Sequence, residues 1–238
     1  MQEFIPFSPN SGHRILWLGA VFDEKTVLTA PAVSPAANRW QLGLINGLRQ
    51  HGVNVYLIGH LPEPYWPRGR LRVKSADGRC VPGIQQQLID YWNLPLLRNH
   101  SLSSSYCELI DKLESQLSNT RVVVTYNADS AAVAGANYVR ERYNIPWVCI
   151  VADDEAPLNA DGYVFLSWGY YEAFDGLKPK LHIDGGVSEI RVSQKASTDE
   201  NAMGRQVVMY TGAANRHGGI NFLARAFHKV QNLNVELW

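Results

Sequence analysis

The stretch R-I-L-W-L-G-A-V, Arg14–Val21, decides the fold. Its apolar residues are nearly continuous rather than alternating, which marks a strand buried on both faces, as in a parallel sheet. Downstream lies a loop rich in Ala, Thr, Ser and Pro, and then a helix is expected to start near Pro35, because the missing N–H of proline is not needed in a first helical turn. Ala37, Leu44, Ile45 and Leu48 form one helical face, and Gly52 is the stop signal. V-N-V-Y-L-I-G, Val53–Gly59, is a second apolar strand. Strand, helix, strand in this order predicts a parallel unit with a right-handed crossover.

The same alternation continues outward. Leu61–Gly83 is rich in turn residues and holds at most a short strand, R-L-R-V-K; two amphipathic stretches follow, around Ile84–Trp92 and Ser103–Leu117. R-V-V-V-T-Y-N is a further strand, Ser130–Tyr143 a helix with Ala132, Val133, Ala136 and Val139 on one side, I-P-W-V-C-I-V-A-D-D the next strand, and G-Y-V-F-L-S another. The predicted fold class is α/β, a Rossmann-like doubly wound parallel sheet. From Val187 to Gly204 the composition turns polar without sustained period. Beyond it Q-V-V-M-Y-T-G, a helix over Gly218–Val230 with Ile220, Leu223, Ala224, Phe227 and Val230 inward, and N-V-E-L-W read as the first unit of a second Rossmann-like domain. The expected division is residues 1–190, a linker at 191–204, and an incomplete domain at 205–238, so the chain is read as a fragment.

Composition bounds the function. Hydrophobic residues make up 46% of the 238 and charged residues 18%, enough apolar material for a sizeable core. Lys and Arg number 22 and so do Asp and Glu, which argues against a globally basic nucleic-acid binder. Cys80, Cys107 and Cys149 are odd in number and far apart, unlike a disulfide scaffold or a four-cysteine zinc site. No secretory leader is visible, and no apolar run approaches the roughly 18 residues of a membrane span. The expectation is a soluble, cytoplasmic protein.

In open α/β sheets ligands bind beyond the carboxyl ends of the strands, so the residues after each strand are the candidates. No G-x-G-x-x-G, P-loop or nucleophile elbow occurs there, which disfavours a dinucleotide-dependent dehydrogenase, a P-loop NTPase and an α/β-hydrolase. The histidines show no short metal-ligand spacing, and no metal is expected. T-G-A-A-N-R-H-G-G-I-N-F-L, Thr211–Leu223, is a small-residue loop feeding a helix. Gly212, Gly218 and Gly219 either let backbone N–H groups approach an anion, with Arg216 adding a charge, or merely permit a tight turn.

That segment, V-V-M-Y-T-G-A-A-N-R-H-G-G-I-N-F-L-A-R-A-F-H-K-V, resembles the opening of the C-terminal domain of GT-B glycosyltransferases of family 4: a strand ending in Y-x-G, a loop, then G-hydrophobic-x-x-L and A-F. L-I-N-G-L-R-Q-H-G-V-N-V-Y-L-I-G is similar to the family's first helix and second strand. N-A-D-G-Y-V-F-L-S is similar to its A-D-x-V-x-x-x-S element, and L-H-I-D-G-G-V-S-E to the loop before its interdomain linker. The likeness runs in order along nearly the whole chain. It departs where many members carry Arg after the strand glycine and Lys before the helix glycine, positions held here by Ala213 and Gly218. The Gly-Gly pair that often opens the first helix is matched by Pro35 and Ala36, and no E-x7-E element is present.

The resemblance implies a retaining glycosyltransferase that moves a sugar from a nucleoside-diphosphate-sugar to a glycan or lipid-linked acceptor in polysaccharide or glycoconjugate synthesis. It implies no cofactor beyond that donor, no nucleic-acid partner, and peripheral contact with a membrane face. Its first domain would bind the acceptor and its second the donor diphosphate, here through Gly212, Arg216, Gly218 and Gly219. Three clusters at strand ends are acceptor candidates: Tyr126, Asn127 and Asp129; Asp153 and Asp154 with Glu155; and Ser167. Asn127 and Asp129 suit a helix N-cap equally well, and the acidic trio a solvated turn; His182 reads as a packed loop residue. Tyr126, Asn127, Asp129, Asp153 and Ser167 are expected to line one cleft facing Gly212–Gly219. The chain alone is expected to transfer no sugar. A non-catalytic sugar- or nucleotide-binding module is the alternative.

Overall fold

The computed structural model describes residues 14–127, 129–153, 156–157, 159–183, 206–208, 220–229 and 235–237. The chain divides into two compact units, Met1–Ile190 and Arg191–Trp238. The first unit opens with β1 (Arg14–Leu18), α1 (Glu24–Thr29), α2 (Pro35–Gln50) and β2 (Asn54–Gly59). An excursion follows with β3 (Arg72–Val73), β4 (Gln85–Leu88) and β5 (Tyr91–Trp92), then α3 (Arg98–Lys112) and α4 (Glu114–Leu117). The unit closes with β6 (Thr120–Tyr126), α5 (Ser130–Tyr143), β7 (Trp147–Val151), β8 (Gly162–Phe165), α6 (Trp168–Ala173) and β9 (Lys180–His182).

Seven strands form one sheet in the order β4-β2-β1-β6-β7-β8-β9, and every neighbouring pair is parallel. The fold is therefore α/β with a Rossmann-like parallel sheet. Strand side chains alternate between two cores. Leu16, Leu18, Val123, Trp147, Cys149 and Val151 enter one with Tyr106, Ile110, Ala136 and Val139 of α3 and α5; Trp17, Leu57, Val124 and Ile150 enter the other with Ile45 of α2. This two-sided burial is the physical content of the continuous apolar runs.

Local signals place the helix ends. Ser34 caps α2 by accepting from the Ala37 N–H at 3.3 Å, Pro35 takes the first turn, and Gly52 ends the segment at φ 76°. Asp129 caps α5 by accepting from the Ala131 N–H at 3.1 Å, and Asn144 closes that helix at φ 53°.

Several expectations change. The loop after Val21 contains α1, capped by Asp23, which accepts from the Thr26 N–H at 2.8 Å. The amphipathic stretch Ile84–Trp92 is not a helix. Gln85–Leu88 add to the sheet beside β2, and Tyr91–Trp92 pair with Arg72–Val73. Gln86 makes this possible, its side chain donating to the Val21 carbonyl at 2.6 Å and accepting from the Val81 N–H at 3.0 Å. The second stretch starts earlier, at Arg98. His182 sits on edge strand β9 rather than in a loop. In the second unit β10 (Gln206–Val208) and β11 (Val235–Leu237) pair in parallel with α7 (Ile220–His228) between them in sequence. On α7 Leu223 and Phe227 are half-buried, whereas Ala224, expected inward, is exposed.

Candidate functional site

The sheet grows from β1 through β2 to β4 in one direction and from β6 to β9 in the other, so the strand order reverses between β1 and β6. Loops leaving two strands there diverge to opposite faces and leave a crevice. A cavity of about 530 Å³ occupies this position, bounded by Gly19 and Ala20 after β1, His60 after β2, Tyr126 and Asn127 ending β6, and the first turns of α2, α3 and α5. Close backbone packing beside it holds Gly19, which lines the cavity, and Gly59 to glycine. A Cβ on Gly59 would stand 2.3 Å from the Gly19 carbonyl oxygen, and one on Gly19 would stand 2.7 Å from Gln41 Oε1.

Two buried polar residues of α2 hold the wall. Asn38 accepts from the Phe22 N–H at 2.8 Å and donates to the Phe22 carbonyl at 3.1 Å, closing both groups of one loop residue. Gln41 accepts from Trp17 Nε1 at 3.1 Å and donates to the Ala37 carbonyl at 3.3 Å. The loop after β1 is thereby fixed to α2, and the crevice is preformed.

At the inner end His60, only 5% exposed, stands between Tyr106 and Asp129. Its Nδ1 is 3.2 Å from the Tyr106 hydroxyl and its Nε2 is 3.8 Å from Asp129 Oδ2. Burial pushes the Tyr106 phenol well above its ordinary range, so the O–H stays protonated and donates to Nδ1. The ring proton then belongs on Nε2, where it faces a carboxylate; a bare lone pair there would repel it. Burial also lowers the His60 pKa, against the raising effect of Asp129. His60 is neutral at pH 7. Asp129 is thus held on two sides, by the Ala131 N–H through Oδ1 and by the imidazole edge at Oδ2, while its side chain keeps 41% exposure.

Tyr126, Asn127 and Asp129 all line the cavity. Tyr126 is half-buried against the Trp40 ring, 5.7 Å between centroids, and burial together with the Asp153 charge pushes its phenol up to about 12. It is a neutral hydroxyl at physiological pH. Asn127 adopts φ 58° and turns its Oδ1 to the Ala152 N–H at 2.7 Å and the Asp153 N–H at 3.4 Å, so its carbonyl braces the neighbouring strand end. The cap of α5 is Asp129 and not Asn127. Asp153 is exposed and Ser167 half-buried at the start of α6; neither bounds this cavity, so the expected single cleft is not assembled from all five residues. Asp154, Gly212, Arg216, Gly218 and Gly219 lie outside the described residues. His182 packs edge-on to Trp168 at 5.1 Å.

Reading strand ends missed His60 and Arg98. His60 follows β2 directly and obeys the rule that selected Tyr126; what it touches, Tyr106 and Asp129, is remote in sequence. Arg98 follows no strand of the seven-stranded sheet, since β5 before it pairs with β3 alone. It enters from α3, held by its donation to the Glu63 carbonyl at 2.8 Å and by the Tyr65 ring 4.6 Å away. Among the described residues no group of three or more His, Cys, Asp or Glu is placed to hold a metal ion, and no helix is long and apolar enough to cross a membrane. No family model and no curated protein matches the chain.

Proposed function

We propose that the first unit binds a hydroxyl-rich acceptor, a glycan or the sugar of a lipid-linked glycan, for a retaining glycosyltransferase that uses a nucleoside-diphosphate-sugar. The observation that carries this reading is the convergence of Tyr126, Asp129 and His60 on one preformed crevice at the reversal of strand order. A sugar hydroxyl both donates and accepts. The Asp129 carboxylate accepts from it, and the neutral Tyr126 phenol and the Ser34 and Ser130 hydroxyls at the cavity wall complete its bonds. Orientation of this kind supplies much of the rate in a transfer between two bound substrates. The acceptor oxygen would form a bond to the anomeric carbon as the bond to the diphosphate breaks, and the hydroxyl proton would pass to the departing diphosphate. Stabilisation of the departing diphosphate falls to the segment Thr211–Leu223 in this reading.

The test is saturation-transfer NMR on the 238-residue chain with a panel of oligosaccharides, lipid-free glycan phosphates and nucleotide-sugars. Saturation of a glycan that disappears with Asp129→Ser and Tyr126→Phe is expected. A chain that binds nucleotide-sugars through this cavity, or binds no glycan while its fold is intact, would overturn the acceptor assignment. Glycan binding in a chain that, joined to any complementing donor half, still transfers nothing would favour a non-catalytic binding module.

A further inference from the structure

The cavity at the reversal of strand order carries two opposite charges that do not meet. Among the described residues that bound it, Asp129 is the one carboxylate and Arg98 the one guanidinium, and no ion pair joins them. Each is tethered where it stands. Asp129 accepts from the Ala131 N–H at 3.1 Å and faces His60 Nε2 at 3.8 Å. Arg98 donates through Nη1 to the Glu63 carbonyl at 2.8 Å, and its guanidinium carbon lies 4.6 Å from the centre of the Tyr65 ring and 5.6 Å from that of Tyr91. Tyr91 is pinned in turn, its hydroxyl donating to the Leu61 carbonyl at 2.8 Å.

The side chain of Glu63, whose carbonyl holds Arg98, is committed elsewhere. Its Oε1 accepts from Arg70 Nε at 3.2 Å and its Oε2 from Arg70 Nη2 at 3.0 Å, and these bonds hold the carboxyl below its ordinary range. Arg98 therefore has no counter-ion among the described residues. A guanidinium is always charged and carries more N–H donors than one carbonyl engages. The helix end here favours negative charge as well: α3 starts at Arg98 with Leu97 in its capping position, and no side chain caps its first turn. Closing the crevice on a neutral ligand would take water from the arginine and give it no partner, a cost that a ligand bringing its own anion offsets.

We propose that the crevice selects an acidic sugar, whose carboxylate is held by Arg98 while one of its hydroxyls donates to Asp129. This names the class of ligand for the acceptor site and rests on that reading. The planar fork of Arg98 matches the two oxygens of a carboxylate bidentately. A singly charged group also suits the other wall, because each further negative charge would add repulsion from Asp129. The two fixed charges set direction: a sugar entering the other way round would bring its carboxylate against that of Asp129. Arg98 is thus a specificity residue, and Asp129 and Tyr126 serve any sugar hydroxyl.

Dissociation constants for matched sugars, measured by NMR titration of the 238-residue chain, test the proposal. Methyl glucoside, galactoside and mannoside are each compared with the corresponding uronic acid and with the phosphate monoester at the same carbon. For the sugar that binds, the uronic acid should bind at least about tenfold more tightly than the neutral glycoside. Arg98→Gln should bring that ratio to about one. Arg98→Lys, which keeps the charge but not the fork, should retain only part of it. Lys112→Gln, a control at an exposed cation in the last turn of α3, should leave the ratio as in the wild type. Circular dichroism checks folding, and the wild-type ratio needs no variant. Equal affinity for the neutral and acidic members, or a preference undiminished in both Arg98 variants, overturns the proposal and leaves the acceptor reading standing. Preference for the phosphate monoester with none for the uronic acid overturns the carboxylate assignment. Failure of the folded chain to bind any of these sugars overturns the acceptor reading and the proposal with it.

Discussion

Lowering the pH should destabilise this protein through His60, and a His60→Gln variant should lack that response. Tyr106, Tyr91 and Asp129 surround the ring, and Arg98 is near enough for its charge to act on it. Burial, the largest influence, disfavours the imidazolium, Arg98 disfavours it further, and Asp129 only partly compensates, so the folded pKa lies below the ordinary 6.5. In the window between the folded pKa and 6.5 the unfolded chain binds a proton that the folded chain does not. Stability rises with pH across that window and falls as pH drops through it. A ring that remained neutral throughout would lose about 1.4 kcal/mol of stability between pH 7.5 and 5.5, which is the upper bound for one proton. Urea unfolding at the two pH values, wild type against His60→Gln, reads the difference: the variant's stability should fall less by up to that amount. Histidine ring NMR on the wild type gives an independent value if the variant folds poorly. Equal pH dependence in the two proteins, or a His60 titration at or above 6.5, would refute the assignment of a buried neutral ring.

Asp129→Ala should cost about 1 kcal/mol by uncapping α5, while Asp129→Ser should restore most of that in thermal unfolding without restoring glycan binding. Gly59→Ala forces a Cβ against the Gly19 carbonyl, backbone against backbone, and should destabilise by about 1–3 kcal/mol or more in chemical denaturation. Asn38→Ala leaves the buried Phe22 N–H and carbonyl without partners. A loss of about 1–3 kcal/mol is expected, with faster amide exchange confined to the loop after β1. Replacing Tyr126 by Phe removes a hydroxyl but little buried area, so its melting temperature should hardly move while glycan saturation in NMR falls.

How much of this was legible in advance follows from the range of each interaction. β1, β6 and β7 were readable because strands buried on both faces must be apolar throughout, a property of a few consecutive residues. The limits of α5, Ser130–Tyr143, were readable because a capping Asp129 and a left-handed Asn144 are local chemistry. β4 was not: Gln85, Gln86 and Gln87 have no strand pattern of their own, and they become a strand because β2 offers an open edge and Val21 offers a carbonyl. Nor was the membership of the cavity. Tyr126 and Asp153 stand at equivalent ends of neighbouring strands, yet one lines the crevice and the other is exposed, because only the reversal between β1 and β6 parts the loops. The sequence by itself determined the strands buried on both faces, such as β1, β6 and β7, and the helices α2 and α5 with the residues that start and stop them. Only the tertiary structure decided that His60 and Arg98 meet Asp129 at a single crevice, because that depends on strand order, to which no local period or cap is sensitive.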